Sequence, residues 1–234
     1  MAQYSRMEKL KAAAHRVIDT LNAGDYFEII GFHHTAYQLG STRNLLTRAL
    51  ANEKAAFKKL IDNLKPNGGT NYNSGFSMAF DILKNTGSQD MTSNCRQAIL
   101  FVSDGQNNDA INQNPLLFDY VKNERAKYTT ANKEPPFIFT YSFGDNANED
   151  ALKQLACDNE GIWSEITDAE DPSEAMGAYY KYFSYGLSDA KNSDFVAWTP
   201  PYEFSTGVGL GITVSAPVYN RNTTPPIMSG VVGM

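Results

Sequence analysis

Ala98-Ile99-Leu100-Phe101-Val102, followed at once by Ser103-Asp104-Gly105-Gln106-Asn107-Asn108, decides the fold class of this 234-residue chain. Five apolar residues in a row read as a strand buried on both faces, the kind found inside a parallel sheet. The loop then sets a carboxylate at the carboxyl end of that strand. Downstream, Leu116 to Tyr128 predicts a helix, Pro136 to Phe143 a strand ending at Gly144, and Glu149 to Cys157 another helix. Gly161 to Ile166 predicts a further strand, and Pro172 to Leu187 a tyrosine-rich helix. Apolar strands alternating with helices of this length predict an α/β domain, doubly wound, with a mostly parallel sheet and helices on both faces.

Upstream the pattern continues. Ser5 and Glu8 have capping-box spacing ahead of Met7, Leu10, Ala14, Val17 and Leu21, which recur at helical intervals. Tyr26 to Phe32 reads as one buried strand, with a weaker strand at Ala36 to Leu39. Leu45 to Leu64 predicts a long amphipathic helix stopped by Lys65-Pro66-Asn67-Gly68-Gly69, and Ser74 to Leu83 a helix with Phe76, Ala79, Phe80 and Leu83 on one face. Near Asp194 the composition shifts: from Phe195 onward Glu203 and Arg221 are the only charges. Gly209 to Ser215 alternates like a strand and Ile227 to Val232 reads as another, so a second, β-containing domain begins here. The expected division is 1–190 and 191–234.

Composition removes several function classes. Hydrophobic residues make up 42% and charged residues 20%, which supplies a packed core. The net charge is −6 with no Lys/Arg block, which argues against nucleic acid as a partner. No apolar run approaches the ~20 residues of a transmembrane helix, and Met1 to Leu21 does not read as a signal peptide. Cys95 and Cys157 allow one bridge or two thiols. Asn222-Thr223-Thr224 is a glycosylation sequon, weakened by Pro225. Gly207 to Gly211 reads as strand punctuation rather than a phosphate loop, and Tyr179, Tyr180, Tyr182, Phe183 and Tyr185 as helix packing.

In a parallel sheet, ligands collect at the carboxyl ends of strands. Two loops carry suitable chemistry: Asn67-Gly68-Gly69-Thr70-Asn71-Tyr72-Asn73 and Ser103-Asp104-Gly105. Oxygen donors such as Thr70 and Asp104 suit a hard cation. Taken alone, however, both residues read first as caps of nearby amides. His15 reads as a solvated helix residue. His33 and His34 end a strand and are placed to face a site, without a Cys or His partner at metal-ligand spacing. Nucleophile elbow, P-loop and zinc-protease motifs are missing from the sequence.

The order of elements through Asp25 to Phe32, Gly68 to Asn71 and Ile99 to Gly105 resembles a von Willebrand factor type A domain. More narrowly it resembles the one in alpha-2/delta auxiliary subunits of voltage-gated calcium channels. Gly69 to Phe80, Ser93-Asn94-Cys95-Arg96 and Leu155 to Gly161 carry that likeness. Ser215 to Asn220 resembles the start of the Cache domain that follows in those subunits. The resemblance implies a metal-ion-dependent adhesion site in which Thr70 and Asp104 are ligands of Mg²⁺ or Ca²⁺ and a partner's carboxylate completes the shell. It also implies a protein partner, a channel pore subunit among the candidates, at the extracellular face of a membrane. Cys95 and Cys157 would then be oxidised, to each other or to other segments.

The family's Asp-x-Ser-x-Ser motif and the first strand before it have no counterpart here. Met1 falls where the Met following that motif would stand. The expectation is therefore a type A domain lacking its first strand, from a fragment, an internal start or a degenerate copy, with weak or no metal binding. Three readings follow: a channel-auxiliary binding module, a type A adhesion or matrix module without a channel, and a hydrolase using Asp104 with His33 or His34.

Overall fold

A computed structural model describes residues 2–40, 43–88, 96–108, 110–145, 149–177 and 179, and the strand residues 197–198, 202–203, 210–211, 214–220 and 227–233. The chain divides into two compact units, Met1–Gly177 and Ala178–Met234.

The centre of the first unit is a three-stranded parallel sheet in the order β5 (Ala98–Ser103), β6 (Phe137–Phe143), β7 (Trp163–Ile166). The crossovers are α4 (Ala110–Thr130) and α5 (Asp150–Cys157). β6 is buried from Ile138 to Phe143, on both faces at once, as expected of a strand covered by helices on each side. Ile99 and Phe101 of β5 face a core shared with α3 (Tyr72–Ser88), α4 and α5. Phe101 is its hub. Its ring stacks on Phe76 at 4.6 Å and on Phe32 at 4.9 Å, and meets Tyr72 edge-on at 5.0 Å. Aromatic pairs of this kind contribute about 0.5–1.5 kcal/mol each beyond their burial. The doubly wound α/β expectation holds.

The N-terminal part departs from its sequence reading in three places. The first helix, α1 (Ala2–Thr20), begins before Ser5, so Ser5 is an exposed helical residue rather than a cap, and Glu8 pairs with Lys11 at 2.8 Å. The stretch Tyr26 to Phe32 is not one strand. β1 (Tyr26–Phe27) pairs antiparallel with β4 (Thr47–Arg48), and β2 (Ile30–Phe32) with β3 (Ala36–Gln38). Glu28 sits at the break, its carboxylate accepting the Ile29 N–H at 2.9 Å, the Gly40 N–H at 3.2 Å and the Gln38 amide at 2.7 Å. Residues 45–50 are not helical, with Thr47–Arg48 in a strand and Leu50 extended, and the helix α2 covers only Ala51–Asp62. Tertiary bonds override helix propensity there: Leu45 O accepts from Gln38, the Leu46 N–H is bound by the Thr86 hydroxyl, and the Ala49 N–H by Asp25 O.

Other elements outgrow their expected bounds. α3 starts at Tyr72, and α4 runs through Pro115 from Ala110. Helix α6 covers Pro172–Gly177 and packs along α1. A smaller core joins Ile18, Phe57 and Ile61 with Phe27 and Leu39.

In the second unit, β11 (Val214–Asn220) pairs antiparallel with β12 (Ile227–Gly233) and with β8 (Ala197–Trp198), and β9 (Tyr202–Glu203) with β10 (Leu210–Gly211). The expected β character of this region is present. Tyr180, Tyr182, Phe183, Tyr185 and the glycines 207 and 209 lie outside the described residues.

Candidate functional site

Two loops are bonded together at the carboxyl ends of β2 and β5. The Thr70 N–H donates to Asn108 Oδ1 at 3.0 Å, and the Asn108 N–H returns the bond to Thr70 O at 2.6 Å. Asn71 joins both to the β2–β3 turn: its N–H donates to His33 O at 2.7 Å and its Nδ2 to His34 O at 3.0 Å. The same side chain accepts the Ser74 N–H at 3.1 Å, capping α3 through a local asparagine turn. Gly68 has φ +78°, a left-handed conformation that glycine adopts without strain. A Cβ on Gly69 would strike the His34 ring, and one on Gly105 would lie 3.2 Å from Thr70 Oγ1. The Gly-Gly pair thus lets one loop lie flat against the histidine turn, and Gly105 lets the second loop come up against Thr70.

Tyr72 fixes the Asp104 loop from beneath. Its side chain is wholly buried, its hydroxyl donates to Gly105 O at 2.5 Å, and its N–H donates to Asn107 Oδ1 at 2.9 Å. Burial pushes its phenol up to about 12, with the Ser103 hydrogen bond opposing and the Asp104 charge adding to the rise. Asn107, itself buried, also donates to Asn114 Oδ1 at 3.0 Å and so ties in the start of α4. Within this frame Thr70 is half-buried and Asp104 is exposed.

A third party reaches Asp104 from α1. The Arg6 guanidinium forms a two-pronged ion pair with Asp168, Nε to Oδ1 at 2.6 Å and Nη2 to Oδ2 at 2.5 Å. Its remaining prong, Nη1, lies 3.7 Å from Asp104 Oδ2. Asp168 is oriented by its own N–H, which donates to Asp145 Oδ1 at 2.9 Å, and Lys9 Nζ donates to Asp168 O at 2.5 Å. The hydrogen bond to Asp168 raises the Arg6 pKa against a smaller opposing burial effect, and the same bond lowers the pKa of Asp168. Arg6, Asp145 and Asp168 carry no local sequence signal. Arg6 reads as one more charge on a solvated helix face, and its partner lies 162 residues away. Asn107 and Asn108 belong to a loop picked out for its carboxylate, with nothing in the sequence to mark them as its fasteners.

The donors here do not form a strong divalent-cation site by themselves. They are one hydroxyl, one carboxylate and an adjacent guanidinium, whereas Mg²⁺ and Ca²⁺ need six or more oxygens including water. Among the described residues no three His, Cys, Asp or Glu side chains gather into a ligand set. His33 and His34 touch the site mainly through their carbonyls, and His33 Nδ1 accepts the His34 N–H at 2.7 Å. His15 bridges α1 and α2, its Nε2 3.1 Å from Asp62 Oδ1, rather than pointing freely into solvent. Cys157 is an exposed thiol at the end of α5. Cys95 and Asn222 lie outside the described residues.

Comparison with known proteins agrees with the topology. Residues 1–106 match the family model of the von Willebrand factor type A domain. The chain is 28% identical over 239 residues to the mouse voltage-dependent calcium channel subunit alpha-2/delta-2, covering 97% of this chain and 19% of that protein. It is 29% identical over 238 residues to the rat alpha-2/delta-3 subunit, covering 97% and 21%. It is also 26% identical to the pig inter-alpha-trypsin inhibitor heavy chain H2 over 184 residues, covering 78% and 18%. The chain therefore spans about a fifth of the length of these curated relatives. A solved von Willebrand factor type A protein from Catenulispora acidiphila superposes with a TM-score of 0.61 at 20% identity, covering 79% of this chain and 39% of that one. No helix among the described residues is long and apolar enough to cross a membrane.

Proposed function

We propose, from the match of residues 1–106 to the von Willebrand factor type A family model, that this chain is a protein-binding module of an alpha-2/delta-like channel auxiliary subunit. Its contact surface is the face formed by the Thr70 and Asp104 loops. The observation that carries this reading is the mutual bonding of those loops at the strand ends, which holds an exposed carboxylate on a rigid platform. The similarity along 97% of the chain to alpha-2/delta subunits supports the channel-associated role and, with it, the extracellular side of a membrane. Binding rather than turnover is the activity of this reading, since Nδ1 of His33 is taken by the His34 N–H and His34 meets the loop through its carbonyl.

Thr70 and Asp104 are the proposed site residues toward Mg²⁺ or Ca²⁺, held weakly by these donors alone. β5 pairs with β6 on one side and has no strand on its other side among the described residues, and the β2–β3 ladder is separate from it. That open edge leaves room for a further parallel strand beside β5, as the type A reading requires, and the proposed role of 191–234 is a linker and the start of a Cache-like domain.

Immobilised extracellular segments of a pore-forming calcium channel subunit, probed by surface plasmon resonance, test the proposal. The wild-type chain should bind, and Asp104→Ala should weaken binding by about 1.4 kcal/mol or more, a tenfold change. Equal binding by both proteins would overturn the assignment of the face. The likeness to inter-alpha-trypsin inhibitor heavy chain H2 favours a second reading, an adhesion or matrix module without a channel. Binding to matrix proteins but not to channel segments would select it.

A further inference from the structure

We propose that Asn67 is a self-modifying site: the backbone nitrogen of Gly68 closes on the Asn67 side chain, expels ammonia, and leaves aspartate or isoaspartate in the loop that carries Thr70. The chemistry needs only this chain and water. Its consequence for partner binding rests on the reading of the Thr70 and Asp104 loops as the contact face.

The backbone nitrogens of this face divide into those that are hydrogen-bonded and one that is not. Ring closure needs a side-chain amide, an unhindered nitrogen on the next residue and a backbone that can rotate toward it. Asn67 and Gly68 are both exposed, and Gly68 has no Cβ to shield its nitrogen. Its φ of +78° already uses the wider range open to glycine. Among the described residues no backbone group from Lys65 to Gly69 makes a hydrogen bond, and the bonded frame resumes at the Thr70 N–H. The other asparagines of the face lack that freedom. The nitrogen after Asn71 donates to Asn107 Oδ1 at 2.9 Å, the nitrogen after Asn73 to Asn71 Oδ1 at 3.1 Å, and the nitrogen after Asn107 to Thr70 O at 2.6 Å. Asp104-Gly105 is open to the same cyclisation, but its Gly105 N–H is turned to Ser103 Oγ at 3.3 Å.

The step balances without an oxidant or reductant. The Gly68 nitrogen gives its proton to solvent and bonds to Asn67 Cγ, while the Cγ–Nδ2 bond breaks and ammonia leaves with a proton from solvent. The product is a cyclic imide. Water then breaks one of its ring C–N bonds. Opening at Cγ gives aspartate, and opening at the main-chain carbonyl carbon routes the backbone through Cγ as isoaspartate. Either product adds a negative charge to a chain whose net charge is already −6. Isoaspartate also lengthens the backbone by one carbon just ahead of Gly68 and Gly69, which lie against His33 and His34. That shift passes directly to Thr70 and its paired bonds with Asn108.

Peptide mapping by mass spectrometry of the folded 234-residue chain, sampled during incubation at neutral and mildly alkaline pH, tests the assignment. Fragment ions should place the exchange of amide for acid at Asn67, faster at the higher pH, with separate aspartyl and isoaspartyl peaks and with Asn71, Asn73 and Asn107 intact. Hydroxylamine, which cleaves the imide, should cut the chain after Asn67. Asn67→Gln should lose the conversion, because its longer side chain closes the ring poorly. The Thr70 and Asn108 amide signals in NMR should split into fresh and aged sets in wild type and stay single in Asn67→Gln. The proposal fails if Asn67 remains an amide in the folded chain, or if Asn73 or Asn107 converts as fast. Fresh and aged protein, separated by charge, are then compared for binding to channel segments. Weaker binding by the aged form is expected, and equal binding overturns the consequence for the face. If neither form binds, the proposed function falls while the mass result still decides the modification.

Discussion

The side-chain carbonyl of Asn107 accepts the backbone N–H of Tyr72 at 2.9 Å, joining the start of α3 to the loop after β5 across 35 residues of chain. Both residues are buried, so neither half of the bond has water to fall back on. Asn107→Ala removes that acceptor and also the donor to Asn114 Oδ1. The expected cost is about 1–3 kcal/mol, read as a lower midpoint in thermal unfolding. An unchanged midpoint would mean that the loops are held by something else.

Thr86 plays a similar part at the other end of α3. Its buried hydroxyl donates to Ile82 O at 2.8 Å and accepts the Leu46 N–H at 2.8 Å. Thr86→Val keeps the shape and strands the Leu46 N–H, and should destabilise by about 1–3 kcal/mol. Thr86→Ser keeps the hydroxyl and should lose less. Urea unfolding of the two variants side by side distinguishes a hydrogen-bond effect from a packing effect.

Glycine positions in the first unit differ sharply in tolerance. A Cβ on Gly161 would come within 1.7 Å of Ile138 O, a backbone atom in the middle of the parallel sheet. Gly161→Ala should therefore cost about 1–3 kcal/mol or more. Gly177 has nothing within 4 Å of such a Cβ and lies in helix α6, so Gly177→Ala should be neutral to slightly stabilising. Hydrogen exchange at the β6–β7 ladder should rise in the first variant and not in the second.

Burial pushes the phenols of Tyr72 and Tyr128 up to about 12, and the Glu124 charge adds to the rise at Tyr128. Each folded-state value lies above the ordinary tyrosine value near 10. The stabilising contribution is complete below that ordinary value and falls as pH rises from 10 toward 12, because the unfolded chain releases its protons first. Absorbance at the tyrosinate band should show these groups titrating late in the native protein, with Tyr120, also raised by burial, among the late ones. Stability measured at pH 9 and pH 11 should drop, and a flat profile would contradict the burial argument.

What could be read from the sequence, and what could not, follows from the range of the interactions. β5, β6 and α5 carry their instructions in consecutive residues, and their expected bounds lie within a residue or two of those observed. The single strand expected over Tyr26 to Phe32 fails because Glu28 diverts three distant or neighbouring donors, which hydropathy does not register. The helix expected from Leu45 is shortened by bonds to Gln38, Thr86 and Asp25. In the candidate site, Thr70 and Asp104 stood out by loop chemistry and family likeness. Arg6 did not, since its meaning depends on Asp168, which only the folded chain brings to it.

Helix α1 runs beside α6, so the first and last helices of the unit Met1–Gly177 are neighbours, sewn together by Arg6, Lys9 and Arg16 to residues 168–171. These charged contacts act as a clasp across the unit, joining segments of chain more than 150 residues apart. Prying α1 away from α6 would strain that clasp before it loads the parallel sheet.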